Sequence, residues 1–170
     1  MRIGFISPKA GQGTTVVACA TALALATKGD TALVPSVDTW AALGLPEGST
    51  AAADGLTINA TPGLNTPNVV LDDERGDVTY MVVRPCYMAL RRAVAADMKA
   101  DGIVLIEEPG RALGLRDVER ALGIPVVAVI TFDPGIARAV DAGLLACRQP
   151  SQLRNAAQRV IDHAASLATA

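Results

Sequence analysis

The first 28 residues constrain this chain more than anything that follows them. Residues 2–7 (RIGFIS) are a short apolar run with β-branched and aromatic members, the pattern of a buried strand. A loop containing Gly11 and Gly13 comes next, and residues 14–28 then read as a helix that is apolar nearly all round. Gly29 is its natural stop. A strand that feeds a glycine loop and then a helix N-terminus makes an anion site. The loop amides converge there, and the helix dipole adds positive potential. Gly11 and Gly13 would let the backbone approach a phosphate closely, and Thr14 or Thr15 could offer a hydroxyl to phosphate or Mg²⁺. The plainer alternative is an ordinary glycine turn. Its place directly behind the first strand and ahead of a buried helix argues for the anion site.

Behind this unit, short apolar runs alternate with helical patterns. Strands are expected at 31–34, 56–60, 68–71, 78–83, 102–106 and 125–130, and helices at 89–98, 115–122, 134–145 and 151–167. Residues 46–53 are small and polar and read as a loop. This alternation implies an α/β fold, a doubly wound and mostly parallel sheet of the P-loop type, with the anion site at the C-terminal edge of the first strand. A length of 170 residues suits one domain over 1–170. Apolar residues at 51% exclude a disordered chain, and aromatics at only 3% require a core of Ala, Val and Leu.

The loop residues carry a family resemblance. Residues 9–15 (KAGQGTT) resemble the deviant Walker A motif, K-G-G-x-G-K-[ST], of the MinD/ParA ATPases. Lys9 falls on that family's signature lysine, which the resemblance implies would reach across a dimer to the partner's nucleotide; Gly11, Gly13 and Thr15 also match. The implied cofactor-binding set is Lys9, Gly11, Gln12, Gly13, Thr14 and Thr15, with ATP and Mg²⁺ as cofactors. Residues 69–72 (VVLD) are similar to the Walker B strand, so Asp72, with Thr15, would hold the Mg²⁺. Arg84-Pro85 and the late segment 122–143 also fit the family's order of elements. Within the family, the short MinD-like proteins of pilus-assembly and septum-site loci, the TadZ/CpaE/Ssd type, are nearest in kind.

Four departures fall on the nucleotide site. Thr14 stands where the family has the lysine that contacts the β- and γ-phosphates, and a hydroxyl cannot replace that charge. Pro35 stands where an acid that helps activate water is expected, with Asp38 as a displaced remnant. Glu107-Glu108 replaces a pair whose Asn reads adenine, and Thr131 replaces a Pro that borders the base. The resemblance thus implies ATP and Mg²⁺ bound weakly or not at all. The function it points to is a positioning or scaffolding factor of the septum-site, partition or pilus-assembly type, with little or no hydrolysis. The alternatives are an active ATPase that switches between monomer and nucleotide-bound dimer, with Lys9 supplying the missing charge, and a small-molecule ligase on the same scaffold.

Other features carry less. Net charge is −2 and the arginines are scattered, so nucleic acid has no electrostatic case, Arg91 and Arg92 notwithstanding. The C-terminal helix puts Leu153, Ala157, Val160, Ile161, Ala164 and Ala168 on one stripe, but it lacks the aromatics and basic face of a membrane-surface helix. The longest apolar run, 16–26, is about half the roughly 20 residues needed to span a bilayer. With no signal-like start, a cytoplasmic protein is expected, as a homodimer or with a protein partner. Cys19, Cys86 and Cys147 lie apart and suggest structural thiols rather than a metal site. His163 lies far from any nucleophile motif, and Asp73, Glu74, Glu107 and Glu108 read as solvated strand ends.

Overall fold

The computed structural model describes residues 1–169. Eight strands form one sheet: β1 (Arg2–Ile6), β2 (Thr31–Val34), β3 (Ala51–Ala53), β4 (Leu56–Ile58), β5 (Asn68–Asp72), β6 (Val78–Val83), β7 (Gly102–Glu107) and β8 (Val126–Thr131). Their order across the sheet is β3-β4-β2-β5-β1-β6-β7-β8, and every pairing is parallel except that of β3 with β4. Helices α1 (Thr14–Ala26), α2 (Thr39–Leu43), α3 (Tyr87–Ala95), α4 (Leu115–Leu122), α5 (Pro134–Asp141) and α6 (Ser151–Ala168) join or cover them. This is the doubly wound α/β architecture expected from the alternation of patterns.

The central strands are apolar without alternation because both faces of the sheet are covered; all six residues of β6 are buried. On one face, Ile3, Phe5, Val70 and Val104 pack with α1 and α6. On the other, Met81, Val83, Ile103 and Leu105 pack with α3 and α4. Helix α1 is the innermost, and its hydroxyl at Thr21 is satisfied by the Val17 carbonyl at 2.9 Å. Residues Leu153, Ala156, Ala157, Val160, Ile161 and Ala164 are the buried stripe of α6; it gains Ala156 over expectation and loses Ala168, which is exposed. The Tyr80 hydroxyl fixes α6 to the sheet, donating to the Val160 carbonyl at 3.1 Å and lying 2.8 Å from His163 Nδ1. The chain's single histidine is thereby a structural partner. Burial pushes the Tyr80 phenol well above its ordinary value, assisted by the nearby Asp101 charge.

Three elements depart from expectation. Residues 51–53 form an edge strand rather than loop: Asp54-Gly55 makes a two-residue turn, and the free edge of β4 supplies the pairing that an Ala-Ala-Ala segment would not favour by itself. Helix α2 is new, a single turn whose Trp40 Nε1 donates to the Ser49 carbonyl at 3.0 Å. Helix α5 is shorter than the 134–145 expected and gives way to irregular chain, with Gly143 at φ 63°. It starts cleanly, with Pro134 in its first turn and the Asp133 carboxylate accepting from the Gly135 N–H at 2.7 Å.

Candidate functional site

The loop between β1 and α1 follows the sequence's punctuation. Gly11 (φ 76°) and Gly13 (φ 92°) take left-handed conformations that side chains rarely adopt, and Gly13 is the N-cap of α1. These turns border a cavity of about 600 Å³, a size typical of small-molecule sites. Gly11, Thr14, Thr15 and Ser36 line it, and Asp38, Asp73 and Asp141 bring three carboxylates to its wall. No lysine or arginine does so among the described residues. Lys9 sits half-buried on the loop, outside that lining, with its carbonyl accepting from the Ser7 hydroxyl at 3.1 Å. Gln12 turns inward, 1% exposed, and its Oε1 accepts from the Arg84 N–H at 2.8 Å. Its side-chain carbonyl therefore latches the loop to the end of β6.

Asp72 is buried, 4% exposed, at the end of β5 beside the loop. Its Oδ2 accepts from the Ser36 hydroxyl at 2.5 Å and the Thr39 hydroxyl at 2.8 Å. Thr39 Oγ1 in turn accepts from the Ser36 N–H at 2.9 Å, and Thr15 Oγ1 lies 3.4 Å from Ser36 Oγ. Burial raises the Asp72 carboxyl above its ordinary value, and the hydroxyl hydrogen bonds counter only part of that. Its Oδ1 is buried without a partner. Ser36 and Thr39 were not legible as site residues: their role follows from β2 and β5 being neighbours, and only Thr39's place in the short α2 delivers its hydroxyl.

A smaller cavity of about 170 Å³ adjoins the loop on the side of β7 and β8, lined by Gln12, Arg84, Ile106, Thr131, Phe132 and Val140 among others. It is smaller than the roughly 300–1,000 Å³ usual for ligand sites. Glu108, expected as a solvated carboxylate, is instead held between Arg84 at 2.7 Å and Arg111 Nε at 2.6 Å, with its side chain 15% exposed. The Arg111 hydrogen bond is the main reason its carboxyl lies below the ordinary value. Glu107 is exposed at the end of β7. Helix α5 overhangs both cavities through Val140 and Asp141, and the chain just beyond it touches α2 backbone to backbone. A Cβ on Gly44 would lie 2.0 Å from the Gly143 carbonyl oxygen.

Searches for a matching protein-family model and for a matching curated protein found none. Solved structures do match. A septum site-determining protein MinD from Pyrococcus horikoshii, complexed with Mg-ADP, superposes with a TM-score of 0.74 at 17% identity, over 99% of this chain and 97% of the other. A ParA family ATPase from Chlorobium tepidum gives 0.71 at 16%, over 98% of each. A chain of the MinC:MinD cell division protein complex from Aquifex aeolicus gives 0.66 at 18%, over 99% and 96%.

The chain has the MinD/ParA fold. The expectation drawn from residues 9–15 is thus met at the level of architecture. Within that fold, the glycine loop borders a cavity whose wall carries three carboxylates and no cationic side chain. No helix among the described residues is long and apolar enough to cross a membrane, and no cluster of His, Cys, Asp and Glu could hold a metal without other ligands. The three cysteines are free; Cys19 is buried, its thiol pushed far up by desolvation, whereas Cys147 is exposed and so does not fit the structural role expected of it.

Proposed function

We propose that this protein is a degenerate MinD/ParA-like positioning or scaffolding factor that binds ATP weakly, if at all, and does not turn it over at a useful rate. The carrying observation is the cavity over the P-loop, which has backbone amides but no cationic side chain and three carboxylates in its wall. Phosphoryl transfer depends on positive charge beside the developing negative charge, and Thr14 offers none. The water-activating acid is displaced as well: Pro35 carries none, Asp72 accepts from Ser36 and Thr39, and Asp38 reaches the cavity wall three residues further on.

The donor set nonetheless fits a magnesium ion. Asp72 Oδ1 is a buried oxygen without a partner, and the Thr15 hydroxyl lies in the same cluster. One carboxylate and one hydroxyl make a hard oxygen site of the sort Mg²⁺ completes with water and substrate phosphates. Bound there, the ion would offset phosphate charge. The chain's own residues would then have narrow tasks: Gly11 and Gly13 shape the amides toward a phosphate, Thr15 and Asp72 hold the cation, and Gln12 keeps the loop fixed to Arg84.

A second reading, an active ATPase, rests on Lys9, whose ammonium forms no ion pair among the described residues. In a homodimer that lysine would supply the charge Thr14 lacks. A cytoplasmic homodimer, or a complex with a protein partner as in the MinC:MinD structure, suits either reading. Phosphate release in the presence of Mg²⁺ separates them. The scaffolding reading expects wild type to match Gly13→Val, whose side chain would force a β-branched residue into φ 92°. Turnover abolished by both Gly13→Val and Lys9→Ala would establish the ATPase.

A further inference from the structure

A second cavity, of about 590 Å³, opens on the other side of α5. Arg138 from α5, Arg148 from the irregular chain after it and Arg154 from the opening of α6 converge on it. None of the three pairs with a carboxylate among the described residues, whereas Arg84 and Arg111 share Glu108. Such an unpaired cluster stands out in a chain of net charge −2. Asp133 also lines the cavity, but its carboxylate caps the Gly135 N–H, so the lining side chains leave a net charge of two positive (three arginines less one aspartate).

The walls are held in place. Arg154 donates to the Gln149 carbonyl at 2.7 Å, and Gln149 donates from Nε2 to the Ala20 carbonyl at 2.9 Å, fixing this segment to α1. Helix α6 opens here without a capping side chain, since Pro150 precedes it, and without an acidic residue in its first turn. Its first amides are therefore unmet donors beside the guanidinium groups.

We propose that this cavity binds the phosphate of a small phosphorylated molecule, independently of the P-loop. Guanidinium forks arriving from three segments, with helix amides, surround a tetrahedral oxyanion from several directions. A long polyanion such as duplex DNA suits the place less, because the pocket is concave, with Asp133 in its wall and Asp141 at the far end of α5.

The test is amide NMR of the full chain titrated with inorganic phosphate and with glycerol 3-phosphate. A short DNA duplex and vesicles of phosphatidylcholine and phosphatidylglycerol serve as comparison ligands. Saturable shifts at Ser151 and Gln152 are expected with both small probes, unchanged in Gly13→Val. Arg138→Gln and Arg148→Gln should each weaken binding about tenfold, the size of one charge-assisted hydrogen bond. Neither side chain makes a hydrogen bond within the described residues, so both variants should retain the wild-type melting temperature. The proposal is overturned by absence of saturation up to ~10 mM, by shifts confined to the P-loop, by binding indifferent to both arginine substitutions, or by a response to duplex or vesicles alone.

Discussion

Helix α5 divides two cavities of nearly equal volume, about 600 Å³ over the P-loop and about 590 Å³ behind it, and their side chains carry opposite charge. The first has the backbone apparatus of an anion site, with left-handed glycines and a helix N-terminus, yet Asp38, Asp73 and Asp141 border it and no cation does. The second has three arginines and only the plain opening of α6. The contrast shows that an anion cradle has two separable parts. Its amides are fixed by chain geometry and persist as long as the strand-loop-helix unit folds. Its charge sits on side chains that can be exchanged without unfolding anything. Under the proposed function, the nucleotide site would have lost its activity while the fold around it stayed whole.

The wall between the cavities is the place to break this comparison most severely. Gly44 and Gly143, both at positive φ, meet where α2 touches the chain after α5. Gly44→Ala would place a methyl 2.0 Å from the Gly143 carbonyl oxygen and strain the backbone as well. A loss of about 2–4 kcal/mol in urea unfolding is expected. A neutral result would mean that α5 is not held over the P-loop by this contact.

A smaller effect tests the hydroxyl cluster at the floor of the first cavity. Because burial raises the folded-state value of Asp72, the folded chain binds more protons than the unfolded chain in the window above the ordinary 3.8. Its contribution to stability is complete below 3.8 and declines as pH rises through the raised value. Glu108, with a lowered value, contributes with the opposite sign, and its contribution is lost as pH falls. Asp72→Asn should remove only the first slope: in urea melts across the acid range, the stability difference between variant and wild type should shift in the variant's favour as pH rises. A pH-independent difference would show that Asp72 is not desolvated as described.

The smallest expected change concerns the wall of the first cavity. Asp38→Asn with Asp141→Asn should tighten ATP–Mg²⁺ binding about two- to fivefold, less at high salt, because exposed charges act weakly through water. An unchanged affinity would mean that the missing cation alone limits the site.

Much of this was legible beforehand, for identifiable reasons. The buried strands 31–34 and 78–83 and helix 115–122 emerged with their bounds intact, since each is a sharp apolar or amphipathic run between clear stops. Strand β3 was hidden because Ala-Ala-Ala has no strand preference, although Asp54-Gly55 was a turn signal that could have exposed it. At the site, Gly11 and Gly13 announced themselves because glycine is what left-handed backbone selects. The partners of Asp72 did not: Ser36 and Thr39 are ordinary residues until strand order puts them beside a buried carboxylate. The Arg84–Glu108–Arg111 bridge was hidden in the same way, being made by the ends of neighbouring strands and a loop.

The central claim, that the P-loop has kept its cradle and lost its charge, is tested most directly by calorimetric titration of ATP–Mg²⁺ into wild type and Thr14→Lys. Thr14 opens α1 and lines the cavity, so a lysine there would point charge at the phosphates from amides already arranged. One charge-assisted hydrogen bond should tighten binding about tenfold or more over a weak wild-type baseline, with hydrolysis still slow in both proteins. Equal affinities for the two proteins, or a wild type that binds tightly and turns ATP over, would contradict the account.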